Sequence, residues 1–227
     1  MQNSISTEHL KEFFANKNVM ITAGPTQENI DDVRFISNRS SGKMGYAIAG
    51  KTAALGSNVT LISGPVNIKP DFAANIINIV SAQEMYEQSM KIYHKQDIII
   101  MTAAVADFRP KNKHSGKIKK DAYKHSLTIE LEPTKDILLE ISRLVDNSQI
   151  LVGFALESSN ELDYGLKKLK EKNCDMIVVN STAIPDSAFY SDNNTITIIS
   201  KDLEIIEYPS MTKQECAIHI LEAISKL

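Results

Sequence analysis

The sequence predicts a doubly wound α/β fold on a mainly parallel sheet, ending in an antiparallel hairpin. Short Val- and Ile-rich runs recur as NVMITAG, NVTLISG, IINIV, DIIIMTA, QILVGFA and DMIVVN, most without strict polar alternation. Strands of a parallel sheet covered on both faces read this way. Amphipathic stretches separate them, and strand–helix alternation implies right-handed βαβ units. The tail breaks the pattern: TITIIS and LEIIEY flank a short polar turn at Lys201 and Asp202, which reads as a hairpin before a final helix.

In chain order, helices are expected over 42–55, 82–95, 134–145 and 159–172. Capping boxes mark three starts, at Ser81 with Glu84, Ser158 with Glu161, and Thr212 with Glu215. Two segments lack a regular pattern, Gly24 to Ser41 and Ala103 to Lys124. Linking segments of about 15 to 20 residues are uncommon inside compact domains and are usually functional or disordered. In an open α/β sheet both would lie beyond the carboxyl ends of strands, where ligands bind. LTIELE is a further candidate strand outside the main sheet. The 227 residues and 43% hydrophobic content suit one domain over 1–227.

The formal charge of −3, with no face readable as basic, leaves nucleic-acid binding without its electrostatic footprint. No stretch reaches the roughly 20 apolar residues that span a bilayer. MQNSISTEHL has no basic region followed by an apolar run. A cytoplasmic protein is expected, with neither nucleic acid nor membrane as partner. Cys174 and Cys216 sit in separate elements without C-x-x-C spacing and read as buried fillers. None of His9, His94, His114, His125 and His219 has metal-ligand spacing or a G-x-S-x-G setting, so zinc hydrolysis and serine-type catalysis have no visible support.

No G-x-G-x-x-G follows the first strand, because Pro25 succeeds Gly24. Gly42-Lys43 is not a P-loop: Met44 stands at the Ser/Thr position and Ser37 at the first glycine. Ser40, Ser41 and Gly42 nonetheless stand at a helix N-terminus, where free amides and the dipole favour a phosphate or carboxylate; an ordinary serine cap is the alternative. Lys111, Lys113, Lys117, Lys119 and Lys120 crowd one loop with Gly116. Such a run is either a solvated face or a mobile loop closing over a triphosphate. Asp107 is a candidate ligand for Mg²⁺ shared with phosphate oxygens, or a simple cap. Tyr164 and Lys168 have the Tyr-x-x-x-Lys spacing of short-chain dehydrogenases, yet Leu151 is not the serine those enzymes would need. An NAD(P)-dependent oxidoreductase and a non-catalytic nucleotide-binding module therefore stand as alternatives.

Taken in order, ITAGPT, VRFISNRSSGKMG, AAVADF, KIKK, PTKDIL, VGFALE, KKLKEKNCDMIVVN and FYSDNN resemble bacterial phosphopantothenoylcysteine synthetase from about Asn18 to about Leu221. The resemblance implies a Rossmann-like sheet and a CTP-dependent ligase of coenzyme A biosynthesis. That reaction couples 4′-phosphopantothenate to CTP as an acyl-cytidylate with release of pyrophosphate, and L-cysteine then displaces CMP. It further implies nucleotide contacts at Met101, Thr102, Ala103, Asp107, Phe108, Lys117, Lys135, Asp136, Ile137, Leu138, Phe154, Lys168 and Lys172. Arg34, Asn38, Ala104 and Lys117 match positions used in catalysis, with Asn38 expected to donate to the acyl oxygen as cysteine attacks. Mg²⁺ is the expected cofactor, at Asp107, and no flavin is expected, since no flavin-dependent decarboxylase segment precedes the motifs. A separate or fused decarboxylase and a second copy of the chain, completing the site across a homodimer, are the implied partners.

Overall fold

The computed structural model describes residues 6–120, 126–157, 160–181 and 192–227. Six strands form the parallel core: β1 (Asn18–Ala23), β4 (Asn58–Ser63), β5 (Asn75–Asn78), β6 (Ile98–Met101), β9 (Ile150–Glu157) and β10 (Met176–Ser181). Then β11 (Asn193–Ser200) pairs antiparallel with β10, and β12 (Ile205–Thr212) antiparallel with β11. The order β12-β11-β10-β9-β6-β1-β4-β5 reverses between β1 and β6, the switch point of a Rossmann-like sheet. Every apolar run and the late hairpin expected from sequence are present. The hairpin's second strand starts two residues late, at Ile205, because Leu203 takes a left-handed φ of 63° and its amide donates to the Ser200 carbonyl to close the turn.

The strands are apolar on both faces because both faces are covered. Val19, Ile21, Leu61, Ile98, Ile100 and Val152 pack in one layer with helices α1 (Thr7–Phe14), α2 (Lys43–Ala54) and α6 (Lys213–Ile224). Met20, Ile62, Ile99, Leu151 and Ile177 face α3 (Ala82–Ile92), α4 (Ile137–Ser142) and α5 (Glu161–Glu171). Cys174 and Cys216 are buried in these layers, and burial pushes the Cys174 thiol up to about 12. The capping boxes of α3 and α6 form as read, whereas Ser158 lies outside the described residues. Helix α4 starts three residues late because Asp136 is the cap, its side chain accepting from the Leu139 amide. α1 escaped the sequence reading, although Ser6 caps it and Leu10 and Phe14 recur at helical spacing.

The two irregular segments contain short hairpins. β2 (Gln27–Asn29) pairs with β3 (Phe35–Ser37), and β7 (Phe108–Pro110) pairs with β8 (Leu131–Pro133), the end of the LTIELE run. The two segments also join each other. An isolated parallel bridge links Pro25 to Ala104, with the Ala104 amide donating to Gly24 (2.9 Å) and the Thr26 amide to Ala104 (3.3 Å). Buried Thr26 accepts from the Ala106 amide through its hydroxyl and from the Ser37 hydroxyl through its carbonyl. β1 and β6 thus remain laced together beyond the sheet.

Candidate functional site

A cleft of about 640 Å³ opens at the carboxyl ends of β1, β6 and β9, at the switch point. Residues from well-separated segments converge there: Asn38, Met101, Ala103, Ala104, Asp107, Lys135 to Leu138, Phe154, Lys168 and Lys172. A recess of about 130 Å³ adjoins it, sharing Ala103, Ala104, Phe154 and Leu156 and lined by Ser40, Ser41, Gly42 and Thr102. Phe108, Arg34 and Lys117 line neither: Phe108 is 50% exposed on β7, and the two cations lie on the segments around the β2–β3 hairpin and beyond β7. The sequence reading missed Val105, Thr134, Leu156, Lys167 and Glu171 in the cleft, and Lys43, Asn180, Asn194 and Lys213 in the recess. Helical spacing offered one signal, since Lys167 and Glu171 recur four apart on α5, as do Lys168 and its C-cap Lys172.

The recess is built by helix α2. Gly42, not a serine, is its N-cap, with φ +76°, and among the described residues no side chain caps the first turn. A Cβ there would lie 3.3 Å from the Gly24 Cα, so glycine lets the two loops touch. Uncapped amides at a helix N-terminus are donors for an anion. The ordinary serine cap is not what forms.

Four lysines and three carboxylates rim the cleft. Burial alone would raise the Asp136 carboxyl, but the Lys172 ammonium, the Leu139 amide and Lys168 together hold it below the usual carboxylate range. This pairing holds Lys172, only 19% exposed, at the wall. Lys135 rests its ammonium 3.9 Å from the centre of the Tyr86 ring. Tyr164 and Lys168 both line the same cleft.

Asn38 donates both hydrogens of its side-chain amide, to the carbonyls of Ala104 (3.0 Å) and Val105 (3.1 Å). The group expected to face an acyl oxygen therefore braces the peptide beside it. Among the described residues the Val105 amide has no hydrogen-bond partner. The lysine-rich segment is stitched to the turn before β3. The His114 amide donates to Ile30, Gly116 to the Asp32 carboxylate, and Ile118 to the Asp31 carboxylate. Lys111 pairs with Glu130 and Lys113 with Asp32, whereas Lys117 is exposed without an ion-pair partner among the described residues. Among those residues no three His, Cys, Asp or Glu side chains gather as a metal site. No described helix is long and apolar enough to cross a membrane.

Residues 14–227 match the family described as DNA/pantothenate metabolism flavoprotein C-terminal domain. The coenzyme A biosynthesis bifunctional protein CoaBC of Bacillus subtilis is 45% identical over 212 residues, 93% of this chain and 52% of that protein. A cysteine/cysteine sulfinic acid decarboxylase from an unknown prokaryotic organism is also 45% identical over 212 residues, 93% of this chain and 58% of its own length. The chain thus spans about half the length of the curated relatives it matches. A crystal structure of the C-terminal domain of CoaBC superposes with a TM-score of 0.80 at 43% identity, covering 94% of this chain and 96% of that one. Sequence and backbone superposition agree, and the chain belongs to the DNA/pantothenate metabolism flavoprotein C-terminal domain family, the family of bacterial phosphopantothenoylcysteine synthetase.

Proposed function

We propose that this chain is the ligase of a coenzyme A biosynthesis protein, joining 4′-phosphopantothenate to L-cysteine through an acyl-cytidylate made from CTP. The observation that carries the reading is the convergence of Asn38, Ala104, Asp107, the Lys135–Leu138 turn, Phe154, Lys168 and Lys172 on one cleft, beside a recess floored by a helix N-terminus. In the first step a carboxylate oxygen attacks the α-phosphorus of CTP, and the bond to the departing pyrophosphate breaks. In the second the cysteine amine attacks the acyl carbon, loses a proton, and CMP leaves.

Each step asks for groups of a kind present here. Lys135, Lys168 and Lys172 neutralise the triphosphate, and the α2 N-terminus takes an anionic end of a substrate. The Val105 amide, on the peptide that Asn38 braces, is a donor for the acyl oxygen as it gains charge. Mg²⁺ fits Asp107 only by taking its other oxygens from phosphate and water, as that ion prefers, and when bound it would offset phosphate charge. Arg34 and Lys117 stand outside the cleft beside exposed Val33, Phe35, Phe108 and Leu131, on hairpins β2–β3 and β7–β8 that touch each other. A second copy docked on this apolar arm would bring those cations to its partner's cleft.

A pyrophosphate assay across nucleotides, omitting each acid substrate in turn, tests the reading. Release should require CTP and 4′-phosphopantothenate, with amide formation requiring cysteine. Comparable turnover with ATP would remove the nucleotide assignment. CO₂ release from cysteine without nucleotide, or NAD(P) reduction, would replace the ligase reading.

A further inference from the structure

Asp31 has a side chain with no exposed surface, yet it lines neither the cleft nor the recess. Its Oδ1 accepts from the amides of Val33 (2.8 Å) and Arg34 (2.7 Å), which would suffice for a turn-forming aspartate. Its Oδ2 does something else. It accepts from Nε and Nη2 of Arg34 and, 87 residues along the chain, from the Ile118 amide at 3.0 Å. Arg34 Nη2 also donates to the Ile118 carbonyl at 2.9 Å. Ile118 is gripped through both its backbone polar groups, and the residue next to it is Lys117. Among the described residues Nη1 of Arg34 has no partner, so one end of the guanidinium stays available while the other is fixed.

Donors held rigidly before charge develops stabilise a transition state without reorganising at the moment of reaction. A buried carboxylate spanning two segments is a means of holding them. We propose that Asp31 is a positioning residue that locks Arg34 and Lys117 into one preformed cationic unit, acting through the Arg34 guanidinium and the Ile118 backbone. The proposal rests on the ligase reading above, in which a second copy carries that unit to its partner's cleft, where pyrophosphate departs.

The test is a double-mutant cycle with a local structural readout. Asp31→Asn keeps the side chain's shape but sets an amide against the donors of Arg34 and Ile118. Turnover should fall about 100-fold, the scale of an ångström-sized misplacement, with KM for CTP unchanged. Arg34→Ala should cost as much, and the double variant no more than either. Millimolar guanidinium should restore part of the Arg34→Ala turnover, and none in the Asp31→Asn/Arg34→Ala protein, which has lost the seat. Amide exchange should quicken at Gly116 and Ile118 while β1 and β6 keep their protection. Additive losses, rescue independent of Asp31, or exchange quickened throughout the sheet would overturn the proposal. A wild-type protein that releases no pyrophosphate from CTP overturns the ligase reading itself.

Discussion

Asn38 and Asp31 each hold a backbone segment through side-chain hydrogen bonds, and each gives the proposed chemistry a single-residue test. Asn38→Asp places a carboxylate against the carbonyls of Ala104 and Val105, so it should shift the peptide proposed above to face the acyl group. Pyrophosphate should still appear in a first turnover, while amide formation slows on the order of 100-fold and acyl-cytidylate accumulates. On the same proposal Lys117→Gln removes a charge that acts earlier, so pyrophosphate release itself should fall. Rapid quench with labelled CTP separates the two, and equal blockage of pyrophosphate release would sink the assignment of Asn38 to the second step. Asp31 carries a pH signature. The Arg34 guanidinium, against the opposing effect of burial, and the amides of Ile118, Val33 and Arg34 hold its carboxyl far below the usual range. A carboxyl depressed in the folded state stabilises fully above its unfolded value near 4, and that contribution is lost as pH falls from there. The urea midpoints of wild type and Asp31→Asn should therefore differ by a constant amount above about pH 5 and converge on acidification.

Among the elements, α2 is positioned by contact as much as by propensity. A Cβ at Gly45 would lie 2.6 Å from both the Ala23 Cβ and the Thr102 Oγ1, so the helix enters against the ends of β1 and β6. Gly45→Ala should lower stability by about 1–3 kcal/mol, as overpacking does, and weaken binding of an anionic substrate through the displaced first turn. Urea unfolding and substrate titration measure the two effects. This scale also shows what the sequence made legible. Apolar runs such as NVMITAG and DIIIMTA name their strands because hydrophobic burial on two faces leaves a local trace, and the box of Thr212 with Glu215 marks α6 for a similar reason. The three-residue strands β2, β3 and β7 leave none, and β8 shows only as the end of LTIELE. Twenty residues lie between the end of β7 and the start of β8, and β2 holds polar Gln27 and Glu28, so only the folded chain brings their backbones together.

For the molecule as a whole, the motifs gave the cleft but not its reach. Met101 to Ala103, Lys135 to Leu138, Lys168 and Lys172 were named from the resemblance, whereas the separation of Arg34 and Lys117 from that cleft is a three-dimensional fact no spacing encodes. It leads to a test of assembly. Phe108→Asp should give a folded monomer in sedimentation with little turnover, and mixing the separately inactive Lys117→Gln and Lys172→Gln proteins should restore activity. A fully active monomer would refute the shared site. The Pro25–Ala104 bridge carries one more consequence, for behaviour on heating. Many binding loops loosen well below the melting temperature of their scaffold, because they open independently of it. Here the loops continue the β1–β6 pairing, so the site has no softer hinge along that seam at which to give way first. Catalysis and the circular-dichroism signal of the sheet should disappear at one temperature, and a substitution that tightens β1 against β6 should raise both together.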